Sequence, residues 1–245
     1  MEISINAETI FYIGDFPVTN SLLATSLIVV VLAVVTFIGT RNMKSKPKGL
    51  QNVLEMIVES IHKLTHNVID NNKVAKIIFP LIATFFIFII VNNWAGLIPG
   101  FGSIGVYEMK EGHEVFVPLL RSANADLNTT IMLSLLSVIV IQIIGIAIIG
   151  PMKYSKKFFN FSSPILFFVG ILELISEFIK VISFSFRLFG NVFAGEVLLV
   201  VITMLVPYIL PIPFYGLELF VGFIQALVFT MLTLVFIKMA TIEAH

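Results

Sequence analysis

Residues 164–206 read PILFFVGILELISEFIKVISFSFRLFGNVFAGEVLLVVITMLV. No proline falls between Pro164 and Pro207, and only Gly170, Gly190 and Gly195 interrupt a run that otherwise favours helix. At 1.5 Å per residue such a helix reaches roughly 65 Å, about twice the ~30 Å hydrocarbon core of a bilayer. It must tilt, bend or begin on a membrane surface. The run also holds Glu173, Glu177, Lys180, Arg187 and Glu196, although a charge at the bilayer centre costs roughly 2.5–3.5 kcal/mol on insertion scales. Glu173, Glu177, Lys180, Ser183, Arg187 and Asn191 follow one another at steps of three and four, so they share one helical face. Glu196 lies half a turn out of phase with Arg187, on the opposite face.

The rest of the chain agrees with a membrane setting. Of 245 residues, 58% are hydrophobic and 12% charged, where a soluble domain has about 25% charged. Mean hydropathy is +1.03. Too little polar side chain is present to cover a water-facing surface. With no cysteine and equal numbers of acidic and basic residues, a disulfide scaffold, a thiolate metal site and a basic nucleic-acid binder are all excluded. Residues 1–21 contain Glu2, Glu8 and Asp15 and no Lys or Arg, so no signal peptide is expected there.

The apolar runs predict an all-α polytopic membrane protein, built as one integral membrane domain over 1–245. After an outer N-terminal segment (1–21), spans are expected at 22–40, 77–98 and 127–151, followed by a long tilted hairpin over 164–206 and 214–240 that Pro207, Pro211 and Pro213 turn. Residues 50–70 repeat Leu50, Val53, Leu54, Ile57, Ile61, Leu64 and Val68 at helical steps, with Glu55, Glu59, His62, Lys63 and His66 on the other side. That pattern predicts an amphipathic helix on the inner membrane face. Arg41, Lys44, Lys46, Lys48, Lys63, Lys73 and Lys76 crowd segment 41–76, and Lys153, Lys156 and Lys157 crowd 152–163. Residues 99–126 set Lys110 and Arg121 against Glu108, Glu111, Glu114 and Asp126. Basic loops stay inside, which gives five crossings, the N-terminus outside and the C-terminus inside.

Charges in a span face a partner or a watery path. On the last helix, Glu218, Gly222 and Gln225 share a face. An acid–Arg–acid series suits an ion path. Carboxylates carry the ion, and a guanidinium that never deprotonates blocks free passage and attracts a carboxylate on a partner.

Four stretches carry a family resemblance: SFSFRLFGNVFAGE at 183–196, NNWAGLIPG at 92–100, DLNTT at 126–130 and FIQALVFTMLTLVFIKMA at 223–240. Together they resemble subunit a of F-type ATP synthases, the membrane stator beside the rotating ring of c subunits, over roughly residues 20–240. By this resemblance Arg187 matches the family's essential arginine, and Asn191 and Gln225 its polar neighbours. Glu196 and Glu218 match the outer half-channel pair, whose positions vary between Glu, His and small residues in the family. Asp126 and Asn128 match polar residues near that channel's mouth, and Glu173, Ser176, Glu177 and Lys180 occupy the inner half-channel end. The resemblance implies a non-catalytic subunit without a cofactor, coupling H⁺ or Na⁺ flow to ring rotation. Its expected partners are the c-ring, the peripheral-stalk b subunits and the remaining complex, in a bacterial plasma (inner) membrane.

The competing reading is a proton-coupled secondary transporter, which needs inverted repeats and helices broken at the midplane; neither is evident. GFGSIG at 100–105 mimics a dinucleotide loop but follows a span rather than a strand. Asn128-Thr129-Thr130 and Asn160-Phe161-Ser162 match glycosylation sequons, one at a helix start and one facing inward. His62, His66, His113 and His245 share no span, so no metal site is expected.

Overall fold

A computed structural model describes residues 7–41, 43–98, 100–102, 104–110, 113–158 and 163–241, with backbone alone at 108–110 and 113–115. Glu2, Glu111, Asn160-Phe161-Ser162 and His245 lie outside the described residues, as do the side chains of Glu108, Lys110, His113 and Glu114. Helix dominates. The order is β1 (Thr9–Ile13), β2 (Phe16–Thr19), α1 (Asn20–Arg41), α2 (Leu50–Val68), α3 (Asn72–Ala95), β3 (Gly105–Lys110), β4 (His113–Pro118), a 3₁₀ turn at Ala123–Ala125, α4 (Leu127–Ile149), α5 (Pro151–Phe158), α6 (Pro164–Leu205) and α7 (Pro211–Thr241). Among the described residues, α1, α3, α4 and α7 are long and apolar enough to cross a membrane.

The helical architecture fits an all-α polytopic membrane protein, and two short extended elements add to it. β1–β2 and β3–β4 form two antiparallel hairpins, both in segments expected to be plain outer chain. Aromatic and β-branched residues in TIFYI and FPVT favour extended backbone, and Gly14, at φ 64°, supplies the turn between them. Helix bounds also shift. α3 starts at Asn72, ahead of the apolar run, because Asn71 caps it by accepting from the Lys73 and Val74 amides. It ends at Ala95 rather than 98. The expected 127–151 span stops at Ile149: Gly150 takes φ 91°, and the chain turns into the separate helix α5 at Pro151. Proline also starts α7 early, at Pro211.

α3, α4, α6 and α7 pack as one bundle, with α2 against α3 and α5 against α6. One core layer joins Ile61, Ile69, Ala75, Ile78, Ile82, Ile141, Leu234 and Ile237. A second joins Phe85, Ile89, Phe184, Leu188, Ala226 and Phe229. In it the Phe184 and Phe229 ring centroids are 5.1 Å apart, and Phe85 meets Phe229 edge-on at 5.6 Å. Hydroxyl pairs fix the helix register: Thr130 with Ser185 at 3.1 Å (α4–α6) and Ser137 with Thr233 at 2.9 Å (α4–α7). α1 stands apart, burying only Asn20, Ser21, Ala24 and Ile28. Its exposed apolar faces, and those of α6, require lipid or a partner.

Candidate functional site: an acidic cavity, an exposed arginine and a paired acidic end

A cavity of about 440 Å³ opens where the end of α3, the chain at 120–122, α6 and the start of α7 converge. Glu196 and Glu218 both line it, with Asn93, Arg121, Thr203 and Tyr215. Glu218 is only 9% exposed, and its carboxylate accepts no hydrogen bond among the described residues. Its head lies directly against Gly195, where a Cβ would collide with all three carboxyl atoms. Glycine at 195 is therefore what lets α7 bring a carboxylate onto α6.

Glu196 has a different setting. Arg121 Nε lies 3.6 Å from Glu196 Oε2, and the guanidinium sits 5.9 Å from the Phe193 ring centroid. Arg121 is 7% exposed. The segment that carries it is tied to the end of α3, which is tied in turn to α7. Ser122 Oγ donates to Asn92 O, Asn124 Nδ2 donates to Asn93 Oδ1 at 2.7 Å, and Asn93 Nδ2 donates to Gly222 O at 2.9 Å. Trp94 Nε1 ties α3 to α7 through Leu219 O at 3.0 Å.

Asp126 and Asn128 do not line this cavity. Asp126 is buried, and its Oδ1 caps α4 by accepting from the Asn128 amide at 3.0 Å. Its Oδ2 accepts from Ser21 Oγ at 2.8 Å, which ties the start of α1 to the start of α4.

Arg187 is exposed on α6, away from the cavity, and its one hydrogen bond among the described residues runs from Nη2 to Ser183 Oγ at 3.5 Å. Phe178, Ile179, Ile182 and Phe186 are exposed on the same helix. Asn191 and Gln225 are half-buried, and neither contacts Arg187 through a hydrogen bond. An always-charged group exposed among side chains such as Ile182 and Phe186 is costly unless something of opposite charge approaches it.

Toward the start of α6 the acids are paired. Lys157 Nζ is 2.6 Å from Glu173 Oε1, and Lys180 Nζ is 2.7 Å from Glu177 Oε1 and 4.6 Å from the Phe236 ring centroid. Glu177 Oε2 is buried and accepts nothing, while Ser176 is exposed. Beside them the Tyr154 hydroxyl donates to Gln142 Oε1, and its ring fills the space opposite Gly145. Burial, and then the nearby charges of Glu177 and Glu173, push the Tyr154 hydroxyl up to about 12. Lys238 closes the same end onto Asp70 at 2.9 Å.

Sequence reasoning thus assembled Glu196 with Glu218 and set Arg187 on the other face, but it missed Arg121, Lys157, Tyr154 and Gly195 as site residues. The only available signal for Arg121 was a basic residue in a mainly acidic outer loop.

Residues 22–238 match the ATP synthase A chain family. The chain is 33% identical over 228 residues to the ATP synthase subunit a of Moorella thermoacetica, covering 93% of each protein. It is 34% identical over 244 residues to that of Gloeobacter violaceus, covering 99% of this chain and 92% of the relative. Against the subunit a of Campylobacter jejuni it is 33% identical over 224 residues, 89% of each.

Proposed function

Because this chain belongs to the ATP synthase A chain family, we propose that it is the ion-translocating stator subunit of an F-type ATP synthase in a bacterial plasma membrane. Five helices cross: α1, α3, α4, α6 and α7. α2 and α5 lie at the inner face among the basic loops, the N-terminus is outside and the C-terminus inside. The observation that carries the reading is Arg187, a fixed cation exposed on one face of α6 while Glu196 turns into a cavity on the other.

The ion enters through the acidic cavity and passes by Glu218 and Glu196 to a carboxylate on the ring of c subunits. The neutralised ring site can turn through lipid, where a charged carboxylate costs several kcal/mol. After nearly a full turn the site meets the inner path near Glu173, Ser176, Glu177 and Lys180 and gives up its ion. Arg187, with Asn191 and Gln225 beside it, attracts the bare carboxylate and repels any cation taking a direct route between the half-channels. One charge falling through 100 mV supplies about 2.3 kcal/mol, so several ions drive each ATP, and the ATP chemistry lies in other subunits. Exposed apolar α1 suits the peripheral-stalk b subunits, and the exposed face of α6 suits the ring.

The test is isolation of the assembled complex through a tag on this chain. A ring of small apolar helical-hairpin subunits should co-purify in fixed ratio; a chain that purifies alone while transporting a solute contradicts the proposal.

A further inference from the structure

The β1–β2 hairpin is held at a membrane surface by its attachments. Its second strand runs into α1 without a linker: β2 ends at Thr19 and α1 begins at Asn20. α1 is long and apolar enough to cross a membrane, so the hairpin starts where the hydrocarbon ends. Asn20 also locks the base of the hairpin. Its amide donates to Glu8 O at 3.0 Å, its Oδ1 accepts from the Glu8 amide at 3.3 Å, and its Nδ2 donates to Pro118 O at 3.4 Å. Val18, close to that base, is buried. Gly14 and Asp15 form the turn. The four residues of β2 put that turn roughly 13 Å from the start of α1.

The exposed side chains of this ribbon are apolar on both faces. Phe11 pairs with Val18, Tyr12 with Pro17 and Ile13 with Phe16, and successive side chains alternate between faces. One face therefore carries Phe11, Ile13 and Phe16, and the other carries Tyr12 and Pro17. Tyr12 is 67% exposed, Ile13 66% and Phe16 61%. Residues 9–19 contain no Lys or Arg, and their one acid, Asp15, sits in the turn. A protein docked flat on the ribbon would cover one face and leave the other in water, whereas lipid surrounds both. Aromatic side chains are favoured at the headgroup level of a bilayer, and a two-stranded hairpin is marginal in water by itself. We propose that the β1–β2 hairpin is a lipid-binding element, an interfacial anchor for the start of α1: Phe11, Tyr12, Ile13 and Phe16 lie at the headgroup–acyl boundary of the leaflet from which α1 sets out. It offers no cation, so it selects no anionic headgroup and takes phospholipid of either charge type. This goes beyond the stator reading and needs only that α1 crosses the membrane.

Depth-dependent fluorescence quenching tests this. The chain has no cysteine, so a single introduced thiol marks one place on it, and the unsubstituted complex sets the background. Tyr12→Cys and Ile13→Cys, one on each face of the ribbon, are labelled with nitrobenzoxadiazole in the assembled complex and reconstituted into phosphatidylcholine vesicles. Both labels should lose about half of their emission to lipid carrying a nitroxide near the headgroup end of the acyl chain, and iodide in the water should quench them at least about threefold less than the free dye. The same quenching is expected in vesicles that also contain phosphatidylglycerol. Val30→Cys, exposed midway along α1, reports the span itself and should respond most to a nitroxide deep in the chain. Lipid quenching at Val30 with none at Tyr12 or Ile13 overturns the proposal and leaves the span in place; no lipid quenching at Val30 overturns the span and the proposal together. Labels at Tyr12 and Ile13 that are shielded from iodide and from both nitroxides report a protein cover, which also overturns the proposal. Where the Ile13 label impairs assembly, Phe16→Cys, its cross-strand partner on the same face, takes its place with the same expectation.

Discussion

Gly195→Ala should silence the outer path without unfolding anything. The added methyl would occupy the place of the Glu218 carboxyl head, overlapping its carbon and both oxygens. The colliding atoms belong to the far end of a flexible side chain rather than to backbone, so relief comes by rotating Glu218, at roughly 0.5–1.5 kcal/mol for a strained rotamer. That is a small fraction of a bundle's stability, so the complex should assemble in parental amounts. The carboxyl, however, must move by about an ångström or more, and displacement of a transfer group on that scale costs up to roughly a hundredfold in rate. Inverted vesicles carrying the variant should acidify about ten- to a hundredfold more slowly, with F1-type ATP hydrolysis in detached form unchanged. Shortening the acid in the same background, G195A/E218D, draws the carboxyl back by one methylene and should recover part of the loss. Parental acidification by G195A, or no gain at all from the aspartate, would refute the argument that the α6–α7 contact at this glycine positions the carrier.

Four further outcomes follow from the geometry. Asp126→Ala removes both the cap of α4 and the acceptor for Ser21, which should cost about 1–2 kcal/mol. Blotting should show less assembled complex, while pumping per assembled complex stays near parental. Tyr154→Phe strands the Gln142 side chain and should lower the melting temperature of the complex by an amount reflecting roughly 1–3 kcal/mol. The same residue sets an alkaline limit. Its folded hydroxyl, at about 12, lies above the unfolded value of about 10, so its contribution is complete below pH ~10 and is lost as pH rises toward ~12. Thermal melts across that window should fall more steeply for the parent than for Y154F. Gly145→Ala collides with the Tyr154 ring and should destabilise by about 1–3 kcal/mol, also read by melting.

Much of this was readable in the sequence because membrane helices announce themselves by length and apolarity, and because α6 keeps its charges in register. The steps from Glu173 to Asn191, and the half-turn offset to Glu196, already separate the Arg187 face from the cavity face. What was not readable depends on contacts between distant segments. Nothing local to Arg121 says that it meets Glu196, and nothing local to Lys157 says that it meets Glu173. Gly195 reads as a helix-weakening residue until Glu218 is seen against it. Nothing local to Asp126 says that its second oxygen reaches Ser21, at the start of α1. The two hairpins were legible in principle, since TIFYI–FPVT and GVYEMK–HEVFVP have strand composition. Strands of four to six residues are too short to stand out by apolar length beside helices of twenty or more.

Arg187→Ala, assayed in inverted vesicles that carry the assembled complex, tests the central claim most directly. Removing the one permanent charge on the exposed face of α6 should abolish ATP-driven acidification, with assembly intact and the passive proton leak under an imposed potential unchanged or raised. Normal acidification by that complex would contradict the account.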